Sequence, residues 1–179
     1  MINFRLVNES DIEQIRKWRN SDLIKNVSYN RAYISQENQK LWFSNLENNK
    51  SQIHWIITNN LKSVGYACLK NIDYNNHRCE FASLYIGETE YLNSGIGAIV
   101  EFKILNYIFE DLEMNKVSCE VLNFNKKVIQ LHKRFGFITE GILKEQYILD
   151  NQFEDVHILA LFKKEWENKK AYIGKLLKI

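Results

Sequence analysis

Two of the seven glycines in this chain, Gly95 and Gly97, stand in one turn between two apolar runs. Phe81 to Gly87 comes before it, and its Phe81, Leu84, Tyr85 and Ile86 read as a strand. Ala98 to Phe109 follows, and Ile99, Phe102, Leu105, Tyr107, Ile108 and Phe109 give a helix one broad apolar face. A strand, a glycine turn and a helix N-terminus in succession are suited to hold a phosphate. The first backbone N–H groups of a helix lack internal partners, and the helix dipole adds partial positive charge there. Glycine lets the backbone approach the anion closely. Gly-x-Gly alone also occurs in ordinary tight turns. The turn lacks the Gly-Lys-Ser/Thr of a P-loop and the third glycine of a dinucleotide-binding fingerprint.

A strand–helix–strand passage around this turn requires a crossover, with the helix lying on a sheet face. The rest of the chain reads around that unit. Ile2 to Val7 is a first strand, and Ser10 with Glu13 reads as a capping box that opens a helix carrying Ile12, Ile15 and Trp18. Asn20 to Ile34 reads as loop. Ser35 opens a second helix, with Leu41, Trp42 and Leu46 expected inward. Gln52 to Thr58 and Ser63 to Leu69 form a hairpin through Asn59-Asn60, and Arg78 to Gly87 leads into the glycine turn. Lys116 to Leu122 is a strand and Asn125 to Phe135 a short helix. Phe137 to Leu149 and Asp155 to Phe162 pair through Asp150-Asn151, and a loosely held terminal helix begins near Glu165. The order is β-α-α-β-β-β-α-β-α-β-β, a mixed sheet with helices on its faces.

At 179 residues, with 45% hydrophobic and 26% charged residues, the chain reads as one soluble globular domain over 1–179. A net charge of +2, with no cluster of Lys and Arg among aromatics, argues against a nucleic-acid partner. No apolar run reaches membrane-spanning length, and Met1-Ile2-Asn3-Phe4-Arg5 does not read as an apolar leader. Cys68, Cys79 and Cys119 sit in apolar contexts and read as buried free thiols in a reducing cytoplasm, with neither a disulfide framework nor a metal site.

Two motifs placed on this order resemble the GNAT (Gcn5-related) N-acetyltransferase superfamily. Tyr91-Leu92-Asn93-Ser94-Gly95-Ile96-Gly97-Ala98 resembles the family's acetyl-CoA pyrophosphate loop, Arg/Gln-x-x-Gly-x-Gly/Ala. Asn125-Lys126-Lys127-Val128-Ile129-Gln130-Leu131-His132-Lys133-Arg134-Phe135-Gly136-Phe137 resembles Asn-x-x-Ala-x-x-Leu-Tyr-x-x-x-Gly-Phe, which supports the pantetheine arm and supplies a general acid. Leu92 stands where the family has Arg or Gln, Val128 where it has Ala, and His132 where it has Tyr. The resemblance covers nearly the whole chain. It implies an α/β (α+β) fold with a central, mostly antiparallel twisted sheet of about seven strands, splayed between the fourth and fifth. It also implies acceptor-binding elements mainly in 10–50 and an acetyl-CoA core mainly in 80–137.

The implied reaction is direct acetyl transfer from acetyl-CoA to a primary amine, without a metal. Asn93, Ser94, Gly95, Ile96, Gly97 and Ala98 would hold the pyrophosphate, mostly by backbone amides. Leu84, Tyr85 and Ile86, with Asn125 and Lys127, would complete the cofactor site. The amine must be neutral to attack, the tetrahedral oxygen needs donors, and the departing thiolate needs a proton. His132 is the candidate acid, since imidazole titrates near neutrality. Glu80 and Glu120 are candidate bases, placed by strand alternation toward the splay.

Trp18-Arg19-Asn20, Ile34-Ser35-Gln36-Glu37 and Trp42-Phe43 resemble both the ribosomal-protein N-acetyltransferases and the enzymes that acetylate a UDP-4-amino sugar in pseudaminic acid biosynthesis. A nucleotide-sugar acceptor would call on Arg19, Lys70, His77 and Arg78 for its diphosphate and on Tyr29, Tyr33 or Trp42 for stacking. Acceptor-half acids (Asp11, Glu13, Asp22, Glu37, Glu47) are balanced by bases, which argues mildly against an aminoglycoside. A CoA-binding module without catalysis is the reading of another class. A homodimer could form through the terminal hairpin.

Overall fold

The structure is a computed structural model and describes residues 1–46 and 49–179; Glu47, counted above among the acceptor-half acids, lies outside the described residues. Seven strands form one sheet in the order β1-β2-β3-β4-β5-β7-β6. β1 (Ile2–Leu6), β2 (Ile53–Asn59), β3 (Lys62–Asp73) and β4 (Arg78–Ile86) are antiparallel neighbours. The β2–β3 turn uses Asn60 at φ 55, a left-handed conformation that Asn tolerates. The chain then crosses through α4 (Ile96–Asn106) and a π-turn at Tyr107–Asp111 to β5 (Lys116–Leu122), which pairs parallel with β4. α5 (Lys126–Phe135) leads into the hairpin of β6 (Ile138–Leu149) and β7 (Gln152–Phe162), and α6 (Lys163–Leu177) ends the fold.

One feature of this topology creates the site. β4 and β5 share only the pairs Arg78↔Lys116, Cys79↔Val117 and Glu80↔Ser118. Past Glu80, β4 stays laddered to β3 as far as Ile86↔Gly65, and β5 stays laddered to β7 as far as Leu122↔Val156. The two central strands therefore diverge and leave a wedge in the middle of the sheet.

Apolar layers cover both faces. Val100, Ile104, Leu105, Ile108 and Phe109, from α4 and the π-turn, pack with Val117, Leu159 and Leu161 of the sheet. On the other face Ile15 and Trp18 of α1 (Ile12–Asn20) pack on Ile56, Tyr66 and Cys68. Trp18 is held tightly. A Cβ on Gly87 would lie 2.3 Å from its indole, and its Nε1 donates to Glu88 at 3.0 Å. This contact fixes α1, and so its neighbour Arg19, against the end of β4.

Four local expectations are corrected. The capping box is formed by Asn8 and Asp11, not Ser10 and Glu13; Asn8 Oδ1 accepts from Ser10 N–H, and the Asp11 carboxylate accepts from Asn8 N–H. Asp11 wins that role because Arg5 also grips it, at 2.6 Å and 2.7 Å. The 20–34 segment holds a one-turn helix, α2 (Asp22–Lys25), anchored by buried Ile24. In α3 (Gln36–Leu46) Leu41 is exposed and Gln39 is buried, so the inward face is rotated from the expected one. α6 is firmly docked: Trp166 is fully buried, stacked near Phe109 and Phe135, and Ile173 is buried near the helix end. A buried Trp of this kind is worth about 3–5 kcal/mol against Ala. Cys68, Cys79 and Cys119 are buried free thiols.

Candidate active site

The glycine turn has the backbone that anion binding needs. Gly95 is the N-cap of α4 at φ 82, a left-handed conformation that costs other residues about 1 kcal/mol or more. Asn93 is left-handed too, at φ 58. Gly95 itself has no side chain to cap the helix; Ile96 N–H makes only a long 3.4 Å bond to Ser94 Oγ, and Ala98 N–H turns inward to Gly95 O at 3.1 Å. The Ser94 hydroxyl turns back to donate to Tyr91 O at 2.6 Å. A Cβ at Gly95 or Gly97 would meet nothing within 4 Å. The protein's own packing therefore does not demand a glycine at 97, whereas a phosphate lying on the backbone would. The residues present fit a pyrophosphate.

Where β4 and β5 part, a cavity of about 480 Å³ opens. β4 contributes Glu80 through Tyr85, including Leu84, and β5 contributes Cys119 through Leu122. Asn125, Val128, Leu131 and His132 close it from α5, and Glu101 reaches it from α4. On the other side Arg19, Ser28, Tyr29 and Asn30 face it, with Lys70 and Tyr147. Of the expected cofactor residues, Leu84, Tyr85 and Asn125 line this space. Ile86 ends β4, and Lys127 is exposed on α5 outside the cavity wall.

His132 Nδ1 lies 2.7 Å from Glu101 Oε1, and both side chains are buried. Burial opposes charge on the imidazole. The Glu101 carboxylate, with Cys119 a further neighbour, outweighs it and raises His132 to about 10. Glu101 is one cavity residue that sequence reasoning missed, and Tyr147 is another. Glu101 interrupts the apolar run Ile99-Val100-Glu101-Phe102 and lies four residues before Leu105, on the buried face of α4. A lone carboxylate at such a position needs a partner, and that was the available signal.

Glu80 and Glu120 both line the cavity. Glu80 accepts from Asn71 Nδ2 at 2.7 Å. Burial, and then the charge of Glu80, raises Glu120 above the usual carboxylate range. Two carboxylates facing one space in this way raise the proton affinity of one of them.

The expected cations separate. Arg19 and Lys70 line the cavity, and neither has an ion-pair partner among the described residues. Arg19 donates to Ser28 Oγ at 2.9 Å. Arg78 does not join them. It opens β4, four residues and about 13 Å of strand from Ala82, and pairs with Asp73 at 3.4 Å beside a separate cleft. His77 contacts Glu113 O at 3.3 Å and is outside the cavity as well. Of the stacking candidates, Tyr33 is exposed beside Arg16, Trp42 packs on His54 and Tyr66, and only Tyr29 faces the cavity. The hydroxyls of Tyr29 and Tyr85 are buried without partners.

Taken together, the site offers a phosphate cradle, a channel between strands, a buried imidazole paired with a carboxylate, and two further carboxylates facing the cavity. That set suits transfer of a group from a phosphate-bearing thioester to an amine. Among the described residues no helix is long and apolar enough to cross a membrane.

The family model for the acetyltransferase (GNAT) domain matches residues 4–158. The provisionally named ribosomal N-acetyltransferase YdaF of Bacillus subtilis is 30% identical over 106 residues, 59% of this chain and 57% of that protein. Acetyltransferase PseH of Campylobacter jejuni is 29% identical over 135 residues, 75% of this chain and 82% of that protein. A crystal structure of spermidine N-acetyltransferase from Vibrio cholerae, in complex with CoA and spermine, aligns with a TM-score of 0.86 at 20% identity, covering 93% of this chain and 98% of that one.

Proposed function

Since this chain belongs to the acetyltransferase (GNAT) domain family and is an acetyl-CoA-dependent N-acetyltransferase, we propose that its acceptor is a primary amine carried on an anionic small molecule, best matched by a UDP-linked 4-amino sugar. The observation that carries this reading is the pair of cavity cations, Arg19 and Lys70, without carboxylate partners among the described residues. Partly buried cations of this kind favour a diphosphate or another anion. Tyr29 and Tyr147 give the same side an aromatic wall. The similarity to PseH is in keeping with it.

In this reading Glu120, with Glu80 beside it, takes the proton of the attacking amine. Backbone N–H groups of β4 at Ser83 to Ile86 stabilise the tetrahedral oxygen. His132 protonates the departing thiolate. Acetyl-CoA supplies the activated acyl group; Asn93 to Ala98 hold its pyrophosphate, and Asn125 supports its arm.

A polyamine acceptor is the second reading. Glu80 and Glu120 favour it, as does the similarity to a spermidine acetyltransferase. Arg19 and Lys70 would repel a polycation of that kind. CoA release measured with a UDP-4-amino sugar, spermidine, an N-terminal peptide and an aminoglycoside decides between them. The expected result is a kcat/KM for the nucleotide sugar at least about tenfold above the others, lost in Arg19→Ala, since one charge-assisted contact is worth about 1.5–3 kcal/mol. A preference for spermidine would overturn the anionic reading. Tight acetyl-CoA binding without turnover of any amine would point to a module that has lost catalysis.

A further inference from the structure

We propose that Glu101 is a positioning residue of the reaction: through His132 Nδ1 it fixes the ring as an imidazolium whose remaining N–H, at Nε2, donates the proton to the leaving thiolate. This rests on the acetyl-transfer reading above, but not on the identity of the acceptor.

The geometry is specific. Glu101 has no exposed surface, and its Oε1 is 2.7 Å from His132 Nδ1. Its other oxygen, Oε2, is buried without a partner, so among the described residues His132 is the only hydrogen-bonding partner of the carboxylate. The elements packed around the imidazole bring Glu101 from α4, Cys119 from β5, Phe81 from β4 at 6.1 Å and Phe137 after α5 at 4.9 Å. Glu101 is the one carboxylate in this shell. With Nδ1 engaged by Glu101, the second N–H of the imidazolium is at Nε2; Cys119 is a further hydrogen-bonding neighbour of the ring, and His132 lines the cavity.

The molecule carries its own control. His54 is also buried, but its ring contacts are Tyr66 Oη and Gln52 Oε1, both neutral, and burial together with Lys70 lowers it to about 4. Buried without a carboxylate, a histidine here is neutral at pH 7 and cannot serve as an acid. Buried against Glu101, His132 goes to about 10. Glu101 therefore decides whether a histidine in the place of the family's tyrosine has a proton to give.

The proton count closes. The amine nitrogen bonds to the acetyl carbon, and the C–S bond breaks with its electron pair going to sulfur. The proton lost by the amine goes to the base. The His132 Nε2 proton goes to the thiolate, leaving neutral His132 still donating from Nδ1 to Glu101. Solvent then returns a proton to Nε2. Glu101 lies six residues beyond Gly95 on the same helix, about 9 Å along its axis. One rigid element thus carries both the phosphate cradle and the group that charges the acid.

Two measurements on the full chain test this. In the unaltered protein the His132 ring resonance, assigned by comparison with His132→Gln, should keep its protonated position from pH 6 through pH 8.5. A midpoint at or below the ordinary 6.5 overturns the proposal even if no Glu101 variant folds. In Glu101→Gln the same resonance should be neutral at pH 7.5. Its kcat at pH 8 should fall about 100-fold, as loss of a general acid does, with the acetyl-CoA KM within about threefold, and the deficit should shrink as pH falls. Glu101→Asp should retain most of the rate. Parent-like kcat and pH profile in Glu101→Gln would also overturn it. The resonance measurement involves no acceptor, so its failure is distinct from failure of the nucleotide-sugar assignment.

Discussion

Tyr29 lies almost flat on Tyr147, with ring centroids 4.6 Å apart and planes 22° from parallel. Tyr29 belongs to the segment after α2 and Tyr147 to β6 near its hairpin tip, so two parts of the chain 118 positions apart meet at the cavity wall that also carries Arg19 and Asn30. Arg31, paired with Asp150 at 2.5 Å, pins the same segment to the hairpin. That ion pair is exposed on its Asp150 side and contributes little by itself. The stacked rings carry the contact, worth about 0.5–1.5 kcal/mol beyond the area they bury. Tyr147→Ala should therefore raise the acceptor KM about tenfold and leave the acetyl-CoA KM within twofold. Steady-state kinetics with each substrate varied in turn checks this, and an equal rise in both constants would refute it.

A substitution at Gly97 should separate folding from cofactor binding. The glycine's φ is not left-handed, and a Cβ there meets no neighbour. Gly97→Val should shift unfolding free energy by no more than about 1 kcal/mol. A branched side chain over the phosphate cradle should nevertheless weaken acetyl-CoA binding at least tenfold. Calorimetric titration with acetyl-CoA beside a urea melt distinguishes the two effects. Unimpaired binding in a folded variant would remove the turn from the cofactor site.

Glu80 and Glu120 should be visible in the pH profile. As pH falls through the raised value of Glu120, the carboxylate gains a proton and can no longer accept one from the amine, so kcat/KM declines on the acid side. Glu80→Gln removes one cause of that elevation, and the acid limb should move to lower pH. Glu120→Gln should lower kcat about 100-fold or more. An acid limb that stays in place in both variants would assign the base elsewhere.

The two buried histidines should act on stability from opposite sides of pH 6.5. His54, at about 4 when folded, is protonated more readily in the unfolded chain, so stability falls as pH drops from about 6.5 to 4 and then levels. His132, at about 10 when folded, contributes stability that is present below 6.5 and is lost as pH rises through 10. Urea melts at pH 7 and pH 5 should show His54→Gln losing about 2 kcal/mol less than its parent over that interval. An identical loss in both proteins would contradict the lowered value.

Much of the fold could be read from pattern, because apolar periodicity and turn residues act locally. β5 and the Asp150-Asn151 hairpin stand where the sequence places them, and Gly95 and Asn60 take the left-handed conformations their turns require. The errors came from packing and side-chain contacts that a local pattern does not register. Asp11 displaced Glu13 as capping partner because Arg5, on a neighbouring strand, holds it. Leu41 was expected inward because periodicity fixes the width of an apolar face but not its direction. In the candidate site, the glycine turn and His132 could be named from motif spacing and the two carboxylates from strand alternation. Glu101 and Tyr147 could not, since their partners are 31 and 118 residues away and meet them only once the sheet has closed.

The short parallel pairing of β4 with β5 has a consequence for the protein without its substrate. Beyond Glu80 the facing backbone groups of both strands form an edge inside the sheet, where a neighbouring strand would normally supply hydrogen bonds. An extended, amide-bearing ligand threaded into the wedge would act there as a missing strand. Donor binding then counts as the last step of folding. Amides along Ser83 to Ile86 that point into the wedge should exchange with solvent fastest in the free enzyme. Saturating acetyl-CoA should raise the melting temperature by mass action alone.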